Sequence, residues 1–97
     1  MKHNTLTLTA ILENKEPLRY TPAGVPVLGF RLTHESEQME AGRPRRVNCE
    51  IPAVAIGEVA TRLATVETGQ ERQFSGFLVS RRRYETAELH VIEFIET

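Results

Sequence analysis

Apolar and polar residues alternate near the start of the chain. The apolar positions are Leu6, Leu8, Ala10 and Leu12, with two threonines and an isoleucine between them. A period of two in β-favouring residues predicts a strand with one buried face. The segment that follows, residues 13–26, contains three prolines and one glycine, which predicts an ordered loop.

A second alternating segment runs from Val27 to Glu37 and predicts a second strand. The polar stretch between Glu35 and Arg46 predicts the tip of a long hairpin. The return strand holds Val47, Cys49 and Ile51, which share one parity. We therefore expect Cys49 in the core, and we expect Pro52 to end this strand.

The hydrophobic period changes after Pro52. Apolar residues now recur at intervals of three and four, at Ile56, Val59, Ala60, Leu63 and Ala64. This spacing predicts one face of a short helix within Val54–Val66. Beyond Gly69, two further β patterns span Gln73–Arg81 and Glu88–Glu96, with apolar positions such as Leu89, Val91 and Ile95.

Three strands, a short helix and two strands fit a small closed antiparallel barrel better than an alternating βαβ sheet. We therefore predict an all-β fold, a five-stranded OB-fold barrel with a short helix between strands 3 and 4. A chain of 97 residues supports one hydrophobic core, so residues 1–97 are expected to form a single domain. The pattern alone leaves a ubiquitin-like or sandwich arrangement open.

Composition narrows the classes of function. Twelve Lys and Arg against 13 acids give a net charge of −1, which argues against a uniformly basic nucleic-acid binder. Every acid is Glu, and the three histidines are widely spaced, so the side chains of common metal sites and catalytic triads are scarce. We predict no enzyme activity, no metal and no cofactor. The single cysteine and the absence of a long apolar run predict a cytoplasmic protein.

Arginine is concentrated in the two predicted hairpins. The first group contains Arg31, Arg43, Arg45 and Arg46, and the second contains Arg81, Arg82 and Arg83. Arginine binds phosphate and stacks on bases, and OB folds bind single-stranded nucleic acid between these hairpins. The same arginines would equally serve as solvated charge paired with neighbouring glutamates. The candidate stacking residues are Tyr20 and Tyr84, whereas Phe30, Phe74, Phe77 and Phe94 are expected in the core.

The segment from Pro17 to Pro26, PLRYTPAGVP, resembles the primosomal replication protein N family of the bacterial restart primosome. The similarity continues through Phe30, Ala41-Gly42, the segment CEIP at 49–52 and the segment GFL at 76–78. It implies a non-enzymatic OB-fold homodimer that binds single-stranded DNA and bridges the primosomal helicase and the helicase-loading partner at stalled forks. An alternative is a protein-interaction module of the same fold with little DNA affinity.

The resemblance extends the candidate DNA-binding set. Arg19, in the Pro-Leu-Arg motif, and Lys15 join the arginines, so the predicted set is Lys15, Arg19, Arg31, Arg43, Arg45, Arg46, Arg81, Arg82, Arg83 and Tyr84. Better-known members of the family have aromatic residues where this chain has Arg43 and Asn48. We therefore expect arginine charge at the DNA-binding surface without aromatic side chains that stack on the bases. The outward β-branched face of Thr5–Thr9 predicts strand pairing between the two copies of a dimer.

Overall fold

The computed structural model describes residues 2–81 and 86–96. Its elements are β1 (Leu6–Glu13), β2 (Arg19–Tyr20), β3 (Pro26–Glu40), β4 (Arg43–Ile56), α1 (Glu58–Ala64), β5 (Glu71–Ser80) and β6 (Ala87–Glu96). The predicted order of five strands and one helix is present, and β2 adds two residues to it. The predicted linker residues Arg82, Arg83 and Tyr84 lie outside the described residues.

The five long strands close into a barrel. β1 pairs antiparallel with both β3 and β5, and the circuit continues through β6 and β4 back to β3. Only the short β4–β6 pairing is parallel. Closure gives each long strand a neighbour on both sides over part of its length, as an OB fold requires. The predicted fold class is confirmed, except that one of the junctions is not antiparallel.

The barrel interior is apolar and is closed by α1. Leu12, Leu32 and Leu63 have no exposed surface, and Leu63 comes from the helix. Aromatic rings fill the centre: the centroids of Phe30 and Phe74 are 6.4 Å apart, and those of Phe74 and Phe94 are also 6.4 Å apart. Such ring pairs add about 0.5–1.5 kcal/mol beyond area burial.

Strands β3 and β4 form one long ribbon that is paired from Val27–Ile56 to Glu40–Arg43. The predicted polar tip is therefore wrong in extent, because only Ala41 and Gly42 remain between the strands. Both have positive φ, 53° and 77°, as a two-residue type I′ turn requires. The prediction that Pro52 ends this strand is also wrong, because β4 continues to Ile56. A proline is tolerated there because Pro52 has only β3 as a neighbour, and the pairing with β6 begins at Ala53.

The predicted burial of Cys49 is wrong, because its side chain is exposed. Cys49 lies at the alternate positions of β4 that include the buried Ala53 and Ala55, so alternation alone would point its side chain inward. However, the pairing of β1 with β3 ends at Thr33, and the ribbon extends beyond the barrel from there. At Cys49 no strand of the described chain covers this face of the ribbon, so the side chain is exposed to solvent although it keeps the inward orientation.

The helix is shorter than predicted. α1 covers Glu58–Ala64, with Val59, Ala60 and Leu63 buried, and Gly57 precedes it with φ 92°. Ile56 was expected on the helix face but ends β4 and is 49% exposed. The apolar run from Ala53 to Ala55 satisfies both periods, so the strand continues further than the sequence pattern indicates.

A β-bulge in β6 reverses the parity of that strand. Gly76 pairs with Val91 and Ser75 pairs with Glu93, which leaves Ile92 as the extra residue. Phe94 is consequently buried, whereas Ile95, expected in phase with Leu89, is 51% exposed. Glycine is required at position 76 because a Cβ there would overlap the carbonyl oxygen of His90.

Candidate nucleic-acid interface

A groove of about 310 Å³ lies where the β3–β4 ribbon meets the ends of β5 and β6. Its lining includes Arg31 from the first predicted arginine group and Arg81 from the second. The loop after β1 forms another wall, because the backbone N–H of Glu16 donates to the carbonyl of Gly29 at 2.9 Å. We call this space the arginine groove; it is lined by Asn14, Glu16, Gly29, Phe30, Arg31, Pro52, Ala53, Arg81 and Glu88.

Each arginine of the groove has a glutamate partner. Arg31 Nε pairs with the carboxylate of Glu50, and Arg81 Nε lies 3.6 Å from Oε2 of Glu88. Both arginine side chains keep between a third and a half of their surface exposed. Exposed pairs of this kind contribute about 0–1 kcal/mol, so a phosphate can compete for the guanidinium groups. The lining carries no net formal charge, because Glu16 and Glu88 balance the two arginines, so phosphate binding here depends on competition for the guanidinium groups.

The remaining arginines of the ribbon are divided between its two faces. Arg46 lies on the same face of the ribbon as Arg31, because it has the same parity in β4 as Pro52, the residue opposite Arg31. Arg43 and Arg45 have the other parity. Arg46 pairs with Glu35, and Arg45 Nη1 lies 3.1 Å from Oε1 of Glu40. The sequence grouped these arginines as one cluster, whereas the strand alternation separates them.

The short strand β2 contributes two further candidates. Arg19 and Tyr20 are both exposed, and they pair with Val27 and Pro26 at the start of β3. Tyr20 keeps 63% of its surface exposed, so its ring is available for stacking. Arg82, Arg83 and Tyr84, also in the predicted set, lie outside the residues that the structure describes.

Lys15 occupies a different environment. Its ammonium Nζ donates to three carbonyl oxygens at the carboxyl end of α1: Leu63 at 3.3 Å, Ala64 at 2.9 Å and Val66 at 2.6 Å. The Leu63 carbonyl also accepts from the backbone N–H of Val66 at 3.1 Å. Carbonyls at a helix end lack partners within the helix, and a cation there also opposes the helix dipole. The geometry gives Lys15 a capping contact; its predicted role at DNA stays a prediction.

Sequence reasoning missed several residues around these surfaces. Phe77 was expected in the core but is 36% exposed, and its ring stacks on His90 with centroids 5.4 Å apart. Its parity is opposite to that of Phe74 and Gly76, which alternation within β5 could have revealed. Arg72 is buried and donates to the carbonyl of Glu67 and the side chain of Gln70. No sequence signal marked that contact.

The described residues offer little for other chemistry. Among residues 2–81 and 86–96, no group of three His, Cys or Glu side chains could hold a metal ion. In the same part of the chain, no helix is long and apolar enough to cross a membrane. A second groove, of about 430 Å³, is lined by Ile11, Thr33, His34, Glu35, Asn48, Cys49, Glu50 and Glu71.

Comparison with known proteins shows which family the chain resembles. A family model described as "Another single-strand binding protein family" matches residues 4–93. The replication restart protein PriB of Bordetella pertussis is 49% identical over 80 residues, which cover 82% of this chain and 75% of that protein. The protein of the same name from Neisseria gonorrhoeae is 42% identical over 85 residues, which cover 82% and 79%.

Solved structures agree with these relatives. The protein PriB from Ralstonia solanacearum, solved at 1.8 Å, superimposes with a TM-score of 0.88 at 33% identity, covering 98% of each chain. A small single-stranded DNA-binding protein from Streptomyces coelicolor gives a TM-score of 0.72 at 14% identity, covering 100% of this chain and 95% of that one, which shows the common fold. The family is described by binding rather than by a reaction, in agreement with the prediction of no enzyme activity. The resemblance noted in the sequence is thus confirmed, and the chain belongs to the replication restart protein PriB family of single-strand binding proteins.

Proposed function

We propose that this protein is a non-enzymatic single-stranded DNA-binding protein of the bacterial replication restart primosome. The observation that carries the proposal is the arginine groove, in which Arg31 and Arg81 line one space although they come from different hairpins. OB folds bind single strands on this face of the barrel. The names of the relatives and of the family model support both parts of the proposal.

The strand would be held mainly through its phosphates. Arg31 and Arg81 form the centre of the contact, and Arg46 continues it along the same face of the ribbon. Arg43 and Arg45 would reach the strand where it passes around the tip, and Arg82 and Arg83, which follow Arg81 in the sequence, would add charge. Arg19, Tyr20 and Tyr84 supply the remaining charge and the stacking.

A homodimer is part of the proposal, and the edge of β1 supports it. The carbonyl of Thr9 accepts from Nδ1 of His34 at 2.6 Å, and the carbonyl of Ile11 accepts from Thr33. Both carbonyls face β3, so the backbone groups of Thr7, two residues before Thr9 in the same strand, face the same way. The described β1–β3 pairing begins only at Ile11, which leaves this edge available to a second copy.

In the primosome, the protein would stabilise the primosomal helicase on DNA in the cytoplasm and help recruit the helicase-loading partner at stalled forks. Exposed apolar side chains favour the alternative, a protein-interaction module with little DNA affinity. Phe77, Leu78 and Val79 are consecutive in β5, and each keeps more than a third of its surface exposed. Because side chains alternate along a strand, Phe77 and Val79 share one face of β5 and Leu78 lies on the other. Exposed apolar side chains suit a protein partner better than a phosphate backbone.

A salt titration distinguishes the two functions. Binding of fluorescent single-stranded DNA and of purified helicase is measured separately, the former at several salt concentrations. Each neutralised phosphate of a single strand contributes about 0.7 to the slope of log K against log salt. Arg31→Gln and Arg81→Gln should each flatten that slope by about 0.7. Arg62→Gln, which removes the same charge from α1, is the matched control and should leave it unchanged.

Helicase binding without DNA binding would favour the interaction module. Equal slopes for the wild type and both groove variants would contradict the proposed groove even if DNA binds.

A further inference from the structure

Glu16 is an anionic side chain inside the arginine groove. Its carboxylate lies over the backbone of Gly29: a Cβ added at Gly29 would lie 3.1 Å from Glu16 Cδ and would overlap Oε1. The Glu16 backbone is held in place by its hydrogen bond to the Gly29 carbonyl. The glycine therefore creates the space that the carboxylate fills.

The other carboxylates of this region are engaged. Glu50 pairs with Arg31, and Glu88 lies within 3.6 Å of both Arg81 and His90. The Glu16 carboxylate has no hydrogen bond or ion pair with the residues described in 2–81 and 86–96. Both of its oxygens thus retain acceptor capacity in a groove that also contains two arginines.

A carboxylate repels the phosphates of a strand but accepts hydrogen bonds from base edges. Single-stranded bases expose their Watson–Crick edges, which proteins read by hydrogen bonding. Guanine presents two adjacent donors there, N1–H and N2–H, and these match the two oxygens of one carboxylate. Thymine presents the single N3–H between two carbonyls, which would face a carboxylate unfavourably.

We propose that Glu16 is a specificity-determining residue that accepts both hydrogen bonds from a guanine base in the arginine groove. This inference rests on the proposed DNA-binding function and adds a base preference to it. Arg31 and Arg81 hold the phosphates, and the carboxylate over Gly29 selects the base beside them.

The test compares two oligonucleotides of about 15 nucleotides, a length suited to an OB fold. One contains only dT, and the other carries isolated dG residues within dT in lithium buffer, which avoids folded guanine structures. The wild-type protein should bind the guanine oligonucleotide about 5-fold more tightly or better. Glu16→Gln should reduce that ratio to about 2-fold or less, while its affinity for dT rises because phosphate repulsion is removed.

Two further variants control the result. Glu93→Gln removes the same charge from an exposed position of β6 outside the groove lining and should preserve the guanine-to-thymine ratio. Gly29→Ala should displace the Glu16 carboxylate and lower the ratio, with folding checked by circular dichroism. Equal ratios for the wild type and Glu16→Gln, or no guanine preference in the wild type, would overturn the inference while leaving DNA binding intact. Failure of the wild type to bind either oligonucleotide would overturn the proposed function itself.

Discussion

Lys15 Nζ lies 2.6 Å from the carbonyl oxygen of Val66, so a side chain from the loop after β1 closes the carboxyl end of α1. The contact joins the carboxyl end of the helix to the barrel, beside Arg62 in the last turn of α1. Hydrogen bonds to a charged group contribute about 1.5–3 kcal/mol when they are well formed, and the cation also opposes the helix dipole.

We expect Lys15→Met to lower the free energy of unfolding by about 1–3 kcal/mol. The methionine keeps the apolar stem and removes the three donors. Urea denaturation measures the loss, and Lys2→Met, at an exposed position near the start of the chain, is the control. An unchanged unfolding midpoint together with weakened DNA binding would instead support a direct role for Lys15 at the nucleic acid.

The open edge of β1 predicts the effect of a proline. Thr7→Pro removes an N–H that faces the proposed partner, while the pairing of β1 with β5 uses the groups on the other side. Light scattering should give about twice 11.0 kDa for the wild type and a monomer for Thr7→Pro at the same micromolar concentration. Thr7→Val, which keeps the N–H, should remain dimeric. A monomeric wild type would contradict the proposed dimer.

The pair formed by Arg31 and Glu50 predicts a gain in DNA affinity. Glu50→Gln frees the Arg31 guanidinium for phosphate, and the coupling in exposed ion pairs corresponds to about 2- to 5-fold in affinity. The salt slope should steepen at the same time. Fluorescence anisotropy with a dT oligonucleotide measures both, and Glu93→Gln controls for the change in net charge. Weaker binding by Glu50→Gln would show that the pair positions Arg31 rather than restrains it.

The exposure of Cys49 predicts ready chemical labelling. A thiol reagent should modify native protein at a rate close to that of the unfolded chain, because the side chain lies on the ribbon beyond the barrel. Mass spectrometry after timed quenching follows the reaction. Labelling that becomes fast only in denaturant would show that this face of the ribbon is covered in solution, for example by a second copy.

The turn between β3 and β4 predicts a stabilising substitution. Ala41 has φ 53°, a left-handed conformation that costs an L residue about 1–2 kcal/mol, whereas asparagine tolerates it in a type I′ turn. Ala41→Asn should therefore raise the free energy of unfolding by up to about 1 kcal/mol. Ala23→Asn, at an exposed loop position whose own φ is not positive, is the matched control. A loss of stability in Ala41→Asn would mean that the turn has a different geometry.

Local patterns were sufficient to predict most of the architecture. Alternation located β1 and β3, and the change of period located α1, because each signal depends only on neighbours in the chain. The exposure of Cys49 could not be predicted in this way, since it depends on where β1 stops covering the ribbon. The boundary between β4 and α1 was also ambiguous, because Ala53–Ala55 fits either period.

The candidate site shows the same division. The sequence predicted that arginines from two hairpins would meet, and Arg31 and Arg81 do line one groove. It could not predict their glutamate partners or the Glu16 carboxylate above Gly29, because these contacts join segments that are distant in the chain. Lys15 was assigned by resemblance alone, and only the tertiary structure shows its contact with the helix.

The extra residue at Ile92 allows one strand to follow two different rules. Before it, β6 pairs with both β4 and β5 and places Glu88 at the arginine groove; after it, β6 pairs with β5 alone and places Phe94 in the interior. Without the insertion, a single alternation would have to serve both ends, and either Phe94 or Glu88 would point the wrong way. The bulge at Ile92 thus shifts the alternation of buried and exposed positions by one residue. The parity that buries Phe94 is therefore set independently of the parity that places Glu88 at the arginine groove.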